Sequence, residues 1–153
     1  MFPVKKVLTP TDFSPAAQHG LGAAVEMAVH LQAELLLVHV IESMPQMSGT
    51  FSMSGARVVQ MMEAMQQESR NQMEKLVTSS VPADLHCDAR IVQGRPAEEI
   101  VRLAADEHVD VIVIATHGYS GFNRFLFGSV ADRVVRTAQC PVLTIRPPEE
   151  VNP

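Results

Sequence analysis

The run Ile114-Ala115-Thr116-His117-Gly118-Tyr119-Ser120-Gly121-Phe122-Asn123-Arg124-Phe125-Leu126-Phe127-Gly128-Ser129-Val130 sets three glycines, a histidine and an arginine between an apolar segment and a helix-forming one. That combination suits an anion. Glycine lets the backbone approach a phosphate closely, and the amides and dipole at the start of a helix attract negative charge. Nine residues separate Gly118 from Gly128. Neither common phosphate motif is present: no Gly-Lys followed by Ser or Thr completes a Walker A loop, and no GxGxxG stands at a strand-to-helix turn. Gly20-Leu21-Gly22 falls inside a helical stretch, where close packing is the expected reason for both glycines.

Each polar residue near this loop has a plainer role beside the chemical one. Ser129-x-x-Asp132 fits the capping pattern of Ser or Thr followed three residues on by an acid, so Ser129 is either a helix cap, a phosphate contact or both. Asp12 stands just before the Ser14-Pro15 helix start, where the helix dipole stabilises a carboxylate with or without a ligand. Arg124 is either a terminal-phosphate contact or a solvated surface arginine, and His117 reads as an exposed loop histidine. His39, inside an apolar strand, reads as a hydrogen-bonded core histidine.

Hydrolysis of a phosphoanhydride needs a positioned base, a metal site or a cation clamp on the transferring phosphoryl group. No such set converges in this sequence. Asp12 is the only candidate for a nucleotide-associated Mg²⁺, so binding is favoured over catalysis. The six histidines show neither an HExxH nor a cluster, and Cys87 and Cys140 lie far apart outside any CxxC spacing. Both cysteines are expected to be reduced, buried thiols. Met62, Met65 and Met73 follow helical spacing, which marks them as core filling rather than metal ligands.

The elements that must position the loop alternate along the chain. Val4 to Leu8 reads as a strand, and Ser14 caps a helix with Pro15 in its first turn. Ala17, Leu21, Ala24, Ala28 and Leu31 line one face of that helix. Leu35 to Ile41 is a continuous apolar run suited to a parallel strand buried on both faces. Met44 to Gly55 is expected to be a mobile loop, followed by a long amphipathic helix marked by Val58, Met62, Met65, Met73 and Leu76. Cys87, Ala89 and Ile91 alternate with polar residues, as in a half-exposed edge strand. Gly94-Arg95-Pro96 opens a third helix with Ile100, Val101 and Ala104 inward, Val109 to Ala115 is a buried strand, Gly128 to about Ala138 a helix and Pro141 to Ile145 a last strand.

Five strands alternating with four helices imply an α/β fold: an open, doubly wound, five-stranded parallel sheet with right-handed crossovers and helices on both faces. Ligands of such Rossmann-like sheets sit beyond the carboxyl ends of the strands, where the strand order reverses. The 153 residues suit one domain over 1–146 with a polar tail, 147–153, expected to be disordered. With 46% hydrophobic and 19% charged residues the chain should fold, and a net charge of −5 without a basic stripe argues against nucleic acid. No apolar run approaches the roughly 18 residues of a membrane span, and the N-terminus is unlike a signal peptide, so a cytoplasmic protein without a membrane partner is expected.

With these residues in place the chain resembles the universal stress protein family, whose nucleotide-binding members carry G-x2-G-x9-G followed by Ser or Thr in this loop. Gly118, Gly128 and Ser129 match, while Ala115 takes the place of the first glycine. The resemblance extends to Val7-Leu8-Thr9-Pro10-Thr11-Asp12-Phe13-Ser14, to Gly94-Arg95-Pro96-Ala97 and to Cys140-Pro141-Val142-Leu143-Thr144-Ile145. It implies strand order 3-2-1-4-5 and an adenine nucleotide, ATP or else ADP or AMP, with or without Mg²⁺. Pro10, Thr11 and Asp12 would border the adenosine, with Asp12 toward the ribose. Val40 would contact adenine, Ala115 and Gly118 would line the nucleotide, and Gly128, Ser129 and Val130 would take the phosphates. The resemblance also implies a regulatory homodimer in a stress response, paired through Val142, Leu143 and Ile145 of the last strand. The alternatives are a slow ATP hydrolase or nucleotide-dependent transferase, and a nucleotide-free interaction module of the same family.

Overall fold

A computed structural model of the chain describes residues 3–43, 55–116 and 128–148. Residues 44–54 of the loop expected over Met44 to Gly55 and residues 149–153 of the tail expected over 147–153 lie outside the described residues, as do Gly118, Arg124 and His117, while Gly55 already opens a helix. Five strands, β1 (Lys6–Pro10), β2 (Glu34–Glu42), β3 (Cys87–Gly94), β4 (Val111–Ala115) and β5 (Val142–Ile145), alternate with four helices, α1 (Pro15–Leu31), α2 (Gly55–Ser80), α3 (Pro96–Asp106) and α4 (Ser129–Thr137). All strands are parallel in the order β3-β2-β1-β4-β5. Because β1 lies between β2 and β4, the chain winds outward from it in one direction and then in the other. The reversal falls between β1 and β4.

The alternation of side chains across each strand divides the interior into two layers. Val7, Leu35, Leu37, Val111 and Val113 point to one face and meet Leu21, Ala24 and Ala28 of α1 and Met73 and Leu76 of α2. Leu8, Leu36, Val38, Ile112 and Ile114 point to the other and meet Ile100, Leu103 and Ala104 of α3 and Ala131 and Val134 of α4. A strand covered on both sides has no polar positions to offer, which is why β2 reads as an unbroken apolar run. Each fully buried leucine among these contributes roughly 1.5–3 kcal/mol.

Local signals set the helix ends. Ser14 Oγ accepts from Ala17 N at 3.2 Å with Pro15 in the first turn, and α1 closes on Gln32 in the left-handed region at φ 54°. Gly94, at φ 157°, ends β3 where a Cβ would lie 2.6 Å from Glu99 Cγ, so any side chain there would have to displace that of Glu99.

Several expectations need correction. The α2 stripe is only half used: Met73 and Leu76 are buried, whereas Val58, Met62 and Met65 are 38–40% exposed, so the two methionines among them do not fill a core. Gly20 is indeed tightly packed, but a Cβ on Gly22 would meet nothing within 4 Å, so packing does not explain the second glycine. Cys87 and Cys140 are half-buried rather than buried; partial burial is the main cause raising both thiols above the ordinary value, so neither is activated. Val109 is buried ahead of β4, which begins only at Val111.

Candidate functional site

The carboxyl end of β1 is an unusually constrained turn. Thr11 is 5% exposed: its amide donates to Val38 O at 2.8 Å, and its hydroxyl accepts from Phe13 N at 3.0 Å. The Thr11 carbonyl accepts from His39 Nδ1 at 2.8 Å, which places the ring hydrogen on Nδ1. Phe13 is held at φ 64°, a conformation costly for a residue with a Cβ, and its ring lies 4.4 Å from that of His39. Asp12, between them, is exposed, and its Oδ1 accepts from Ser14 N at 3.0 Å. The backbone on either side of Asp12 is therefore fixed by strand, hydroxyl and helix cap, leaving its carboxylate at the solvent side of the switch point.

Neighbouring elements converge on the same end. Pro10 is in register with Val38, so the half-buried Val40 stands two residues beyond it on β2, packed toward the α3/α4 layer. At the end of β4, Ala115 pairs with Ile145, and Thr116 N donates to Ile145 O at 2.8 Å. Ala115 abuts α1: a Cβ built on Gly20 would lie 3.1 Å from Ala115 N and 3.2 Å from its Cβ. The methyl group at 115 thus occupies space that Gly20 leaves open.

The start of α4 differs from the expected capping box. Gly128 is the N-cap, with no side-chain cap hydrogen bond, and the exposed Ser129 is the first helical residue. Ser129 therefore does not cap, and Asp132 is paired instead with Arg136 at 3.0 Å. Val130 packs toward the α3/α4 layer. A glycine N-cap covers none of the first amides with its own side chain, the arrangement that leaves a helix start available to an outside anion.

Of the residues singled out from the sequence, Pro10, Thr11, Asp12, Val40 and Ala115 stand at the carboxyl ends of β1, β2 and β4, with Gly128, Ser129 and Val130 at the start of α4. Gly118 and Arg124 lie outside the described residues. Sequence reasoning missed the part of Phe13, for which the Asp-x-Ser spacing of an Asx turn was a visible signal. It read His39 as hydrogen-bonded and Gly20 as closely packed, but not their partners, which lie 28 and 95 positions away, where no local pattern reports them.

Comparison with known proteins gives this geometry a lineage. A model of the universal stress protein family matches residues 3–146. The chain belongs to the universal stress protein family. A universal stress protein of Methanocaldococcus jannaschii, MJ0531, is 30% identical over 146 residues, spanning 95% of this chain and 84% of that one. The solved structure of universal stress protein UspA from Lactobacillus plantarum superposes with a TM-score of 0.71 at 26% identity, covering 94% and 98% of the two chains. The universal stress protein from Archaeoglobus fulgidus, solved in complex with dAMP, shares the fold at a TM-score of 0.63 and 20% identity, covering 95% and 99%. In the universal stress protein described here, the sheet order and the two-sided helical cover are those of this fold.

Proposed function

We propose that this universal stress protein binds an adenine nucleotide, ATP or else ADP or AMP, at the carboxyl ends of β1 and β4, and works in the cytoplasm as a regulatory homodimer rather than as an enzyme. The observation that carries the reading is the pinned, strained turn that presents Asp12 at the carboxyl end of β1, beside the strand-order reversal; the helix start at Gly128, which lacks a side-chain cap, supports it. In this reading Asp12 accepts from the ribose hydroxyls, and Pro10, Thr11 and Val40 flank the adenosine. Ala115 and Gly118 line the nucleotide, and Gly128, Ser129 and Val130 offer amides to the phosphates with Arg124 nearby. A family member of the same fold takes dAMP, which is the same chemical class.

Among the described residues no group of three or more His, Cys, Asp or Glu is placed to hold a metal, so Mg²⁺ would enter on the nucleotide's own phosphates. The sequence brings together no base, metal site and cation clamp of the kind hydrolysis needs, so the reading is binding without turnover. Dimerisation uses β5, whose outer edge is unpaired among the described residues and whose Leu143 is 38% exposed.

Calorimetric titration with Mg²⁺-ATP, beside chromatography of the supernatant from heat-denatured protein, tests the reading. Binding should weaken by about tenfold or more in Asp12→Ala, which removes a charge-assisted hydrogen bond, and in Gly128→Asp, which sets a like charge at the phosphates. Neither a carried nucleotide nor measurable binding in the native chain would reject it. Phosphate release that disappears in Asp12→Ala would replace it with a slow hydrolase.

A further inference from the structure

A half-open cavity lies away from the strand-order reversal. It measures about 310 Å³ between α2 and the β2/β3 edge of the sheet, and is lined by Ile41, Gln66, Arg70, Ala89, Ile91, Val92 and Gln93. It shares no residue with the nucleotide site proposed above. Its size is at the lower end of small-molecule sites, roughly 300–1,000 Å³. The lining has two characters. Ile41, Ala89 and Ile91 form an apolar wall on the α2 side of the two strands, Val92 packing toward the α3/α4 layer instead, while the exposed Gln66, Arg70 and Gln93 contribute the polar side chains.

The state of Arg70 indicates the ligand. Arg90, Arg95, Arg102, Arg133 and Arg136 each hold a carboxylate at 2.6–3.3 Å. Arg70 has no carboxylate within 4.0 Å among the described residues, and it differs from the likewise unpaired Arg57 and Arg146 in standing at a cavity. In a chain with net charge −5 a guanidinium with no carboxylate partner among the described residues, beside an apolar wall, has a clear complement. The planar fork of Arg matches a carboxylate in two-point geometry, and carboxamide N–H groups can donate to the same oxygens.

We propose that this cavity binds a small amphiphilic carboxylate, with its carboxylate on Arg70, Gln66 and Gln93 and a short hydrocarbon body against Ile41, Ala89 and Ile91. The site is independent of the nucleotide site and does not rest on that reading.

The probe is sodium octanoate, titrated into the ¹⁵N-labelled full chain, with 1-octanol and sodium acetate as controls that keep only the body or only the charge. Octanoate should give saturable amide shifts confined to β2, β3 and the middle of α2, with both controls weaker. Arg70→Gln should weaken octanoate about tenfold, as expected for the loss of a charge-assisted contact, and Arg70→Lys by less. Because Arg70 is exposed, both variants should keep the native spectrum, and that spectrum is checked before titration. Saturating ATP should leave octanoate binding unchanged. The proposal is overturned if octanoate produces no local saturable shifts, if octanol binds as well, if Arg70→Gln binds as the native chain does, or if ATP displaces the probe.

Discussion

The two ends of the sheet use polar groups in opposite ways. At the amino end, the carboxylate of Asp110 accepts from Lys5 N and Lys6 N at 2.7 and 2.9 Å, and Glu107 receives Lys6 Nζ at 3.3 Å and Arg90 Nη1 at 2.6 Å. Arg90 also holds Asp88 at 2.7 Å. The charges there answer one another within the chain. At the carboxyl end, Phe13 sits in the left-handed region, Asp12 is exposed and α4 starts on a glycine cap. At the amino end the polar groups hold strands and helices in register through ion pairs and carboxylate–amide bonds, whereas at the carboxyl end short-range hydrogen bonds of Thr11, Asp12 and Ser14 hold a strained turn. Fold alone does not assign function, but this asymmetry says which end to probe.

The comparison breaks if changes at the two ends have the same consequences. The largest effect is expected for Gly20→Val, which forces a branched side chain against Ala115. Overpacking of this kind costs about 1–3 kcal/mol, and because the displaced atoms belong to the end of β4, nucleotide affinity should fall as well. Urea unfolding and ATP titration on the same variant check both parts. A variant that loses stability and retains native affinity would separate α1 packing from the site.

Asp110→Ala comes next. It strips two backbone amides of their acceptor, so the unfolding free energy should drop by about 1–2 kcal/mol while ATP affinity stays within experimental error of native. Altered nucleotide binding in this variant would contradict the division of labour.

The smallest effect concerns Glu107. Hydrogen bonds from Arg90 and then Lys6 hold its carboxyl below the ordinary value. A carboxylate with a depressed folded pKa contributes stability that is complete above its unfolded pKa and is lost as pH falls through the folded value. The native chain should therefore lose its melting-temperature advantage over Glu107→Gln on acidification below the usual glutamate range, and the two should differ most near neutral pH. Thermal melts across that window decide it, and the small exposed pair should yield a difference near the detection limit.

How much of this was legible in advance follows from what each feature depends on. β2 was visible because burial on both faces demands consecutive apolar residues; β3 does lie at the edge, but not with the alternating burial expected of it, since Ala89 is exposed and Ile91 and Val92 pack into opposite layers. The α1 start was visible because Ser14 and Pro15 act within a single turn. The α2 stripe misled because a helical period reports a face, not how far the sheet beneath it extends. Ser129 misled because a capping pattern shifted by one residue looks the same in sequence, and only the backbone angles show that Gly128 is the cap.

The sequence by itself determined the fold class, the order of elements and the segments that reach the carboxyl ends of the strands, since periodicity, caps and turn residues are local properties of neighbouring positions. Only the tertiary structure decided that His39 holds the Thr11 carbonyl, that Gly20 makes room for Ala115, that Asp110 closes on the start of β1 and that Arg70 stands at a cavity with no carboxylate partner among the described residues. Those contacts join residues many positions apart, and their geometry exists only once the sheet has brought them together.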